Sequence, residues 1–163
     1  MAILKDLNIL EVDQNSIIQA CSNIHQRVNF MGRFQLIRNA PMVLLDSAHN
    51  LDGIQQLMRQ LSSIQYNTLH LILGTVNDKN IHKLLSALPK QAKFYFCKAD
   101  IPRGLNTAIL SNMASKHGLK GSCHGNVADA YHSVLKIAKT DDCVLVCGSI
   151  FVVGELLSEI SES

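Results

Sequence analysis

The chain has 163 residues, of which 47% are hydrophobic and 17% charged, as in an ordinary globular protein with a full core. Its 15 basic and 13 acidic residues are mixed along the sequence, and only 5% of residues are aromatic, which argues against nucleic-acid binding. No apolar run reaches the roughly 18 residues of a membrane-spanning helix, and the first residues lack a secretory-signal pattern, so we expect neither nucleic acid nor membrane as a partner.

The first segment of the chain with a clear pattern is a helix. Residues 14–28 carry apolar side chains at helical spacing and predict an amphipathic helix. No strand pattern precedes it. The helix therefore either opens the domain that follows or ends a preceding one.

Beyond this helix, short apolar runs alternate with amphipathic segments. Five runs predict strands, of which the first reads as a short edge strand: FQLIR (34–38), MVLLD (42–46), LHLILG (69–74), KFYFCKA (93–99) and CVLVCG (143–148). Helical spacing predicts helices at about 51–61, 78–88, 105–117 and 126–138, and from Ser149 onward. The alternation predicts a mostly parallel sheet covered by helices on both faces.

The five cysteines indicate free thiols. An odd number in a chain that can bury a core is typical of a reducing compartment, so we expect a cytoplasmic protein. Cys143 and Cys147 lie four residues apart in an apolar strand and therefore point the same way. We interpret them as packing residues rather than metal ligands.

Small and polar residues follow the predicted strands. They are Asp46, His49, Asn50, Gly74, Asn77, Asp78, Lys79, Lys98, Asp100, Arg103, Gly148 and Ser149, with His124, Gly125 and Asn126 before the fourth interstrand helix. The carboxyl ends of parallel strands share one edge, and helix amino termini there favour an anionic ligand. Every α/β domain also turns its chain there with these residue types, so composition leaves a ligand site and ordinary turns equally open.

The same alternatives hold for single residues. Asn50 is a good helix cap, whereas the Asp46 carboxylate beside a buried run needs a partner. His49 is either structural or a ligand contact, and Ser149 is a cap or a contact that Gly148 exposes. Asp78 and Lys79 are equally explained as a solvated turn. The sequence contains no phosphate loop, dinucleotide fingerprint or nucleophile elbow, so a nucleotide would meet only an accessory wall here.

Four motifs in one order carry a resemblance. GRF (32–34), DSAHN (46–50), ILGTVNDKNI (72–81) and CGSIFVVGEL (147–156) resemble the carboxy-terminal domain of folylpolyglutamate synthases and bifunctional dihydrofolate synthases, in the Mur-ligase superfamily. The similarity runs from about residue 10 to residue 158. Ser47 and Leu51 depart from the family pattern, which usually has glycine and proline there.

The resemblance implies a three-layer α/β/α, Rossmann-like fold with about six strands, one of them an antiparallel edge strand. Residues 1–31 would be the tail of the central domain and a linker, and 32–163 the carboxy-terminal domain. The family is an ATP-dependent acid–amino-acid ligase: ATP phosphorylates a folate or pteroate carboxylate, and L-glutamate attacks the acyl phosphate. The phosphate loop and Mg²⁺ ligands would lie in a covalently linked amino-terminal part, so this chain is expected to be inactive alone.

The resemblance also implies roles for single residues. Arg33 and Asp46 would contact ATP, and His49 and Ser149 would lie on the glutamate side. Weaker candidates come from the same motifs, namely Asn50, Asp78 and Lys79. No catalytic residue and no metal ligand is assigned to this chain.

Two other interpretations remain. A peptidoglycan Mur ligase shares the fold, but such enzymes usually carry an Asn-Pro-Arg-like segment, of which KADIPRGL (98–105) keeps only Pro102 and Arg103. The second alternative is a stand-alone α/β module that binds a small anion.

Overall fold

The structure is a computed structural model that describes residues 13, 15, 31–77 and 80–162. Apart from residue 15, the predicted helix at 14–28 lies outside the described residues, as do Asp78 and Lys79. The chain divides into two units between Met31 and Gly32, and the following description concerns the second unit. That residues 1–31 end a preceding domain stays a prediction.

One sheet of six strands forms the centre of this unit. The strands are β1 (Gln35–Asn39), β2 (Met42–Leu45), β3 (Leu69–Leu73), β4 (Lys93–Phe96), β5 (Gly121–Cys123) and β6 (Cys143–Cys147), in the spatial order β1-β2-β6-β3-β4-β5. Only the β1–β2 pair is antiparallel, and the others are parallel. The predicted sheet with one antiparallel edge strand is confirmed.

Helices cover both faces of the sheet. They are α1 (Leu51–Leu61), α2 (Ile81–Ser86), α3 (Thr107–Ser115), α4 (Val127–Leu135) and α5 (Ile150–Glu162). Successive strand residues point to opposite faces, so Leu71 packs with α1, α2 and α3, whereas Ile72 packs with α4 and α5. The fold therefore has three layers and two cores. None of the helices in the described part of the chain is long and apolar enough to cross a membrane.

The strand β5 was not among the predicted strands. Its residues are all exposed and carry no apolar alternation, so no periodic signal exists. It belongs to the sheet through backbone pairing with Phe94–Phe96 on β4. A Cβ atom at Gly121 would collide with the Phe94 carbonyl oxygen, which shows how closely the two backbones approach.

Three helices are shorter than the apolar spacing predicts, and a side-chain cap accounts for the later start of one of them, α3. The α2 helix covers Ile81–Ser86 instead of 78–88. The α3 helix begins only at Thr107, since the Asn106 side chain accepts hydrogen bonds from the backbone of Ala108 and Ile109. Similarly, Asn126 caps α4 by accepting from the Asp129 N–H, and α4 ends at Leu135 rather than near residue 138.

The described cysteines are all free thiols. Cys97, Cys143 and Cys147 are buried, and Cys123 is exposed. Burial raises the pKa of Cys143 to about 11 and that of Cys97 to about 12, so both stay protonated at neutral pH. Cys143 and Cys147 pack in the same core, which confirms their predicted role as packing residues.

A buried polar network lies where β3 and β6 begin. His70 Nε2 is 3.3 Å from Asp142 Oδ2, and His70 Nδ1 is 3.1 Å from the Tyr95 hydroxyl. The Asp142 carboxylate also accepts hydrogen bonds from the backbone N–H groups of Thr68 and Lys139. Since an ionised carboxylate only accepts, Nε2 donates to it, and a neutral ring then accepts the Tyr95 O–H at Nδ1.

The candidate nucleotide and amino-acid site

The strand order predicts a crevice at the carboxyl end of β6. The neighbours β2 and β3 lead into α1 and α2 on one face, whereas β6 leads into α5 on the other. Ligands of open α/β sheets bind where consecutive helices turn to opposite faces in this way. Gly148 and Ser149 therefore lie at the centre of the predicted site, between the segments 46–50 and 74–77.

Backbone hydrogen bonds hold these segments together. The Gly148 N–H donates to the Ala48 carbonyl at 3.0 Å, and the Gly74 N–H donates to the Cys147 carbonyl at 3.4 Å. Gly148 has a φ of 100°, and a Cβ atom there would lie 2.5 Å from the Gly74 oxygen. Only glycine fits this conformation and this close approach.

Asp46 is buried and bonded to backbone on both carboxylate oxygens. Oδ2 accepts from the Phe34 N–H and Oδ1 from the Ala48 N–H, each at 2.8 Å. Phe34 has a φ of 44°, which is uncommon for a bulky residue. Backbone N–H groups are thus the partners that the buried carboxylate needs. Through them Asp46 anchors the turn that carries Arg33.

Arg33 is exposed on this turn. The turn is closed by two further bonds, since the Gly32 N–H donates to Gln35 Oε1 at 2.7 Å and the Ser47 N–H donates to the Gly32 carbonyl at 2.8 Å. Among the described residues the guanidinium has no hydrogen-bond or ion-pair partner. The backbone of the turn is therefore fixed by hydrogen bonds, and the Arg33 guanidinium is exposed beside the end of β2.

His49 and Ser149 each have one polar atom left for a ligand. His49 Nδ1 is 3.0 Å from the Ser47 carbonyl, which can only accept, so Nδ1 carries the proton and Nε2 is an acceptor in the neutral ring. Ser149 Oγ accepts the Phe151 N–H at 3.2 Å as a cap of α5, which leaves its own O–H free to donate. Neither Nε2 nor this O–H has a partner within the described part of the chain.

Residues 32–150 match the family model described as "Mur ligase, glutamate ligase domain". The chain belongs to this family. The match covers the GRF and DSAHN motifs and ends at the start of α5, so it includes the whole crevice around β6.

Relatives of the chain within this Mur ligase family have folate-related names. It is 38% identical, over 89% of its length, to a probable bifunctional folylpolyglutamate synthase/dihydropteroate synthase of Haloferax volcanii. It is 29% identical, over 93% of its length, to the dihydrofolate synthase/folylpolyglutamate synthase of Escherichia coli. The chain spans only 17% and 34% of these two proteins.

Solved structures share the fold. E. coli FolC in complex with DHPP and ADP superposes with a TM-score of 0.80 at 28% identity, over 94% of this chain and 36% of that one. A bifunctional folylpolyglutamate synthase/dihydrofolate synthase with Mn, AMPPNP and L-glutamate bound gives a TM-score of 0.77 at 25% identity, with the same coverage. The observed sheet is thus that of a Mur ligase glutamate ligase domain.

The weaker candidates divide into two groups. Asn50 caps α1, because its side chain accepts the Gly53 N–H at 2.8 Å, which confirms the prediction of a cap. Asp78 and Lys79 lie outside the described residues and stay predictions. Immediately before them, the Asn77 N–H donates to the Arg103 carbonyl at 3.2 Å, and the Arg103 guanidinium lies 5.3 Å from the centre of the Phe151 ring. This cation–π contact holds the loop after β4 against the start of α5.

Sequence reasoning missed the role of Glu155, although it quoted the motif that contains this residue. From α5, Glu155 Oε2 accepts the Asp100 N–H at 2.9 Å and Oε1 accepts the Val127 N–H at 3.4 Å. One carboxylate thus joins α5, the loop after β4 and the first residue of α4. It also lines a cleft of about 470 Å³ with Lys98 and Asn126.

Replacing Glu155 with glutamine should lower the free energy of unfolding by about 1–2 kcal/mol, because an amide offers only one accepting oxygen for two N–H groups. Urea denaturation of the chain measures this difference. Ser158→Ala, an exposed change on the same helix, is the control and should stay within about 0.5 kcal/mol of the parent. A Glu155→Gln variant as stable as the control would contradict the bridging role.

Proposed function

We propose that the chain is the nucleotide- and glutamate-contacting domain of an ATP-dependent folylpolyglutamate synthase. The full protein would add L-glutamate to a folate carboxylate. Folylpolyglutamate synthase names among the relatives support the substrate class, and an ADP-bound neighbour supports the nucleotide. The observation that carries the proposal is the grouping of the Arg33 turn, Asp46, His49 and Ser149 around the end of β6.

In the proposed reaction, ATP transfers its terminal phosphoryl group to the folate carboxylate and leaves as ADP. The amino nitrogen of L-glutamate then forms the C–N bond, while the C–O bond to phosphate breaks and inorganic phosphate departs. The positive charge and planar fork of Arg33 suit the phosphate oxygens of ATP. Asp46 acts by holding the turn on which Arg33 sits.

The glutamate side of the proposed site uses one acceptor and one donor. His49 Nε2 accepts a hydrogen bond from the amino group of the incoming amino acid. The Ser149 O–H donates to one of its carboxylates, with Oγ fixed by the Phe151 N–H. Asn50, Asp78 and Lys79 remain weaker candidates of the same edge, with Lys79 suited to an anion by its charge.

The proposal assigns the phosphate loop and the Mg²⁺ ligands to a covalently linked amino-terminal ATPase domain. The described residues contain no group of three or more His, Cys, Asp or Glu side chains that could hold a metal ion. We propose that the full protein acts in the cytoplasm. Its partners there are ATP, L-glutamate and a folate. Dihydrofolate synthase activity, with pteroate as the acceptor, is the second activity to test.

The decisive experiment compares this chain with a longer protein that includes the amino-terminal domain. ADP formation that depends on both L-glutamate and folate or pteroate is expected only in the longer protein. Turnover by the chain alone would contradict the domain assignment. ADP formation that instead requires a peptidoglycan precursor would overturn the substrate class.

Replacing Arg33 with alanine in the longer protein should raise KM for ATP about tenfold or more, since one charge-assisted phosphate contact contributes roughly 1.5–3 kcal/mol. The free energy of unfolding should change by less than about 0.5 kcal/mol because the side chain is exposed. Arg59→Ala, at another exposed arginine on α1, is the matched control. An unchanged KM for ATP in Arg33→Ala would remove Arg33 from the nucleotide site.

A further inference from the structure

Two histidines meet on the surface of the domain. His82 lies in the first turn of α2, and His117 follows the end of α3. His82 Nδ1 is 3.1 Å from His117 Nε2, and the two ring planes are tilted by 44°. His82 is exposed and His117 is half-buried, so both rings are reachable from solvent.

We propose that His82 and His117 form a binding site for one divalent ion of a late first-row metal, such as Zn²⁺, Ni²⁺ or Cu²⁺. Imidazole nitrogen binds these ions at about 2.0–2.1 Å, so two nitrogens on one ion lie about 2.9 Å apart in square-planar and 3.4 Å apart in tetrahedral geometry. The observed 3.1 Å lies between these limits. Chelation needs both rings to rotate, so that their lone pairs point at the ion instead of along the N···N line.

A metal ion can replace the hydrogen bond between the two rings without any change of oxidation state. In the N···N contact one nitrogen donates a proton to the other. Metal binding needs both lone pairs, so the donor ring takes its other tautomer and its proton moves to the opposite nitrogen through solvent. No net proton is lost from two neutral rings, and water completes the coordination.

The proposed ion is distinct from the Mg²⁺ of the proposed ligase reaction. Imidazole ligands select Zn²⁺, Ni²⁺ and Cu²⁺, whereas Mg²⁺ prefers oxygen ligands. The ion would join α2 to the residues after α3, because one ligand lies on α2 and the other follows α3. Binding to the folded state alone therefore raises thermal stability by linkage.

Thermal unfolding of the chain tests the site directly. With Zn²⁺ at about ten times its dissociation constant, the expected rise in Tm over an EDTA-treated sample is about 4 °C, and Mg²⁺ should give none. His82→Gln and His117→Gln should each abolish the rise. His124→Gln is the matched control, since the interactions of the His124 ring within the described part of the chain are with the Ser122 hydroxyl, at 2.8 Å, and with the Tyr95 ring. All samples carry Cys123→Ser, which removes the thiol that is exposed in the described part of the chain.

Calorimetric titration at 20 °C counts the ions independently of Tm. One Zn²⁺ per chain in the parent and in His124→Gln, with none in either pair variant, supports the site. Far-UV circular dichroism in EDTA confirms that each variant is folded at this temperature, and His82→Asn replaces any glutamine variant that is not. A zinc-induced rise or a bound ion that survives both pair substitutions would overturn the proposal.

Discussion

Replacing Asp46 with alanine should lower the free energy of unfolding of the chain by about 3 kcal/mol. The substitution removes the acceptor of two backbone N–H groups, those of Phe34 and Ala48, and hydrogen bonds to a charged group contribute roughly 1.5–3 kcal/mol each. Urea denaturation followed by circular dichroism measures the loss. Asp52→Ala, at an exposed carboxylate on α1, is the control and should change stability by about 0.5 kcal/mol or less.

The same substitution separates two roles of Asp46 in the proposed ligase. If Asp46 acts by holding the turn, Asp46→Ala and Arg33→Ala should not add in their effects on KM for ATP, because both remove the same guanidinium contact. A double-mutant cycle in the longer protein measures this coupling. Additive effects would instead indicate that Asp46 contacts the nucleotide by itself. An Asp46→Ala domain as stable as the parent would contradict the anchoring role altogether.

Replacing Asp142 with alanine should destabilise the domain by about 3–4 kcal/mol, the largest effect expected here. The carboxylate is buried, and its loss leaves His70 and the N–H groups of Thr68 and Lys139 without their acceptor. The free energy of unfolding from urea titration measures the effect. Asp141→Ala, at the exposed neighbouring carboxylate, is the control. Equal stability of the two variants would show that the network contributes little.

His70 should make the domain less stable as the pH falls. Burial lowers the pKa of His70 below its ordinary value, although the hydrogen bond and the charge of Asp142 oppose the shift. The unfolded chain therefore takes up this proton first, so stability is full above about pH 6.5 and declines below it by up to about 1.4 kcal/mol per pH unit. The decline ends below the folded-state pKa.

Asp142 acts in the same direction at lower pH. Burial alone would raise its pKa, but the hydrogen bonds from Lys139, His70 and Thr68 outweigh burial and hold the pKa below its usual value. Its contribution is present above about pH 3.9 and is lost as the pH falls through the folded-state pKa. Between about pH 4.5 and about pH 7.5 the contribution of Asp142 to stability stays constant. Urea titrations in this range therefore follow the contribution of His70 without that of Asp142.

The test compares slopes of stability against pH rather than absolute stabilities. His70→Gln should flatten the decline below about pH 6.5, whereas His132→Gln, at an exposed histidine, should keep it. A His70→Gln variant with the parent slope would assign the decline to other groups.

The elements that the sequence predicted well are those whose pattern repeats within a short window. The run CVLVC became β6, and α1 covers the predicted 51–61, because buried strands and amphipathic helices show their period in neighbouring residues. The strand β5 has no such period, since it is an exposed edge that only backbone pairing with β4 defines. The start of α3 was similarly decided by a single cap, Asn106, rather than by apolar spacing.

The candidate site shows the same division. Motif order indicated the family, and that resemblance selected Arg33, Asp46, His49 and Ser149, of which the last three also follow recognisable strands. It did not reveal that both Asp46 oxygens bind backbone. It also did not predict the hydrogen bond from the Val127 N–H that joins Glu155 to α4.

By itself, then, the sequence determined the alternating strands and helices, the buried thiols and the motifs of a Mur ligase glutamate ligase domain. Tertiary structure alone decided which polar groups are partners: His70 with Asp142, His82 with His117, and Asp46 with the N–H of Phe34. The physical reason is the separation along the chain over which each feature arises. Side-chain period is a property of neighbouring residues, whereas a hydrogen bond needs two atoms within about 3 Å, which only the folded chain brings together across such separations.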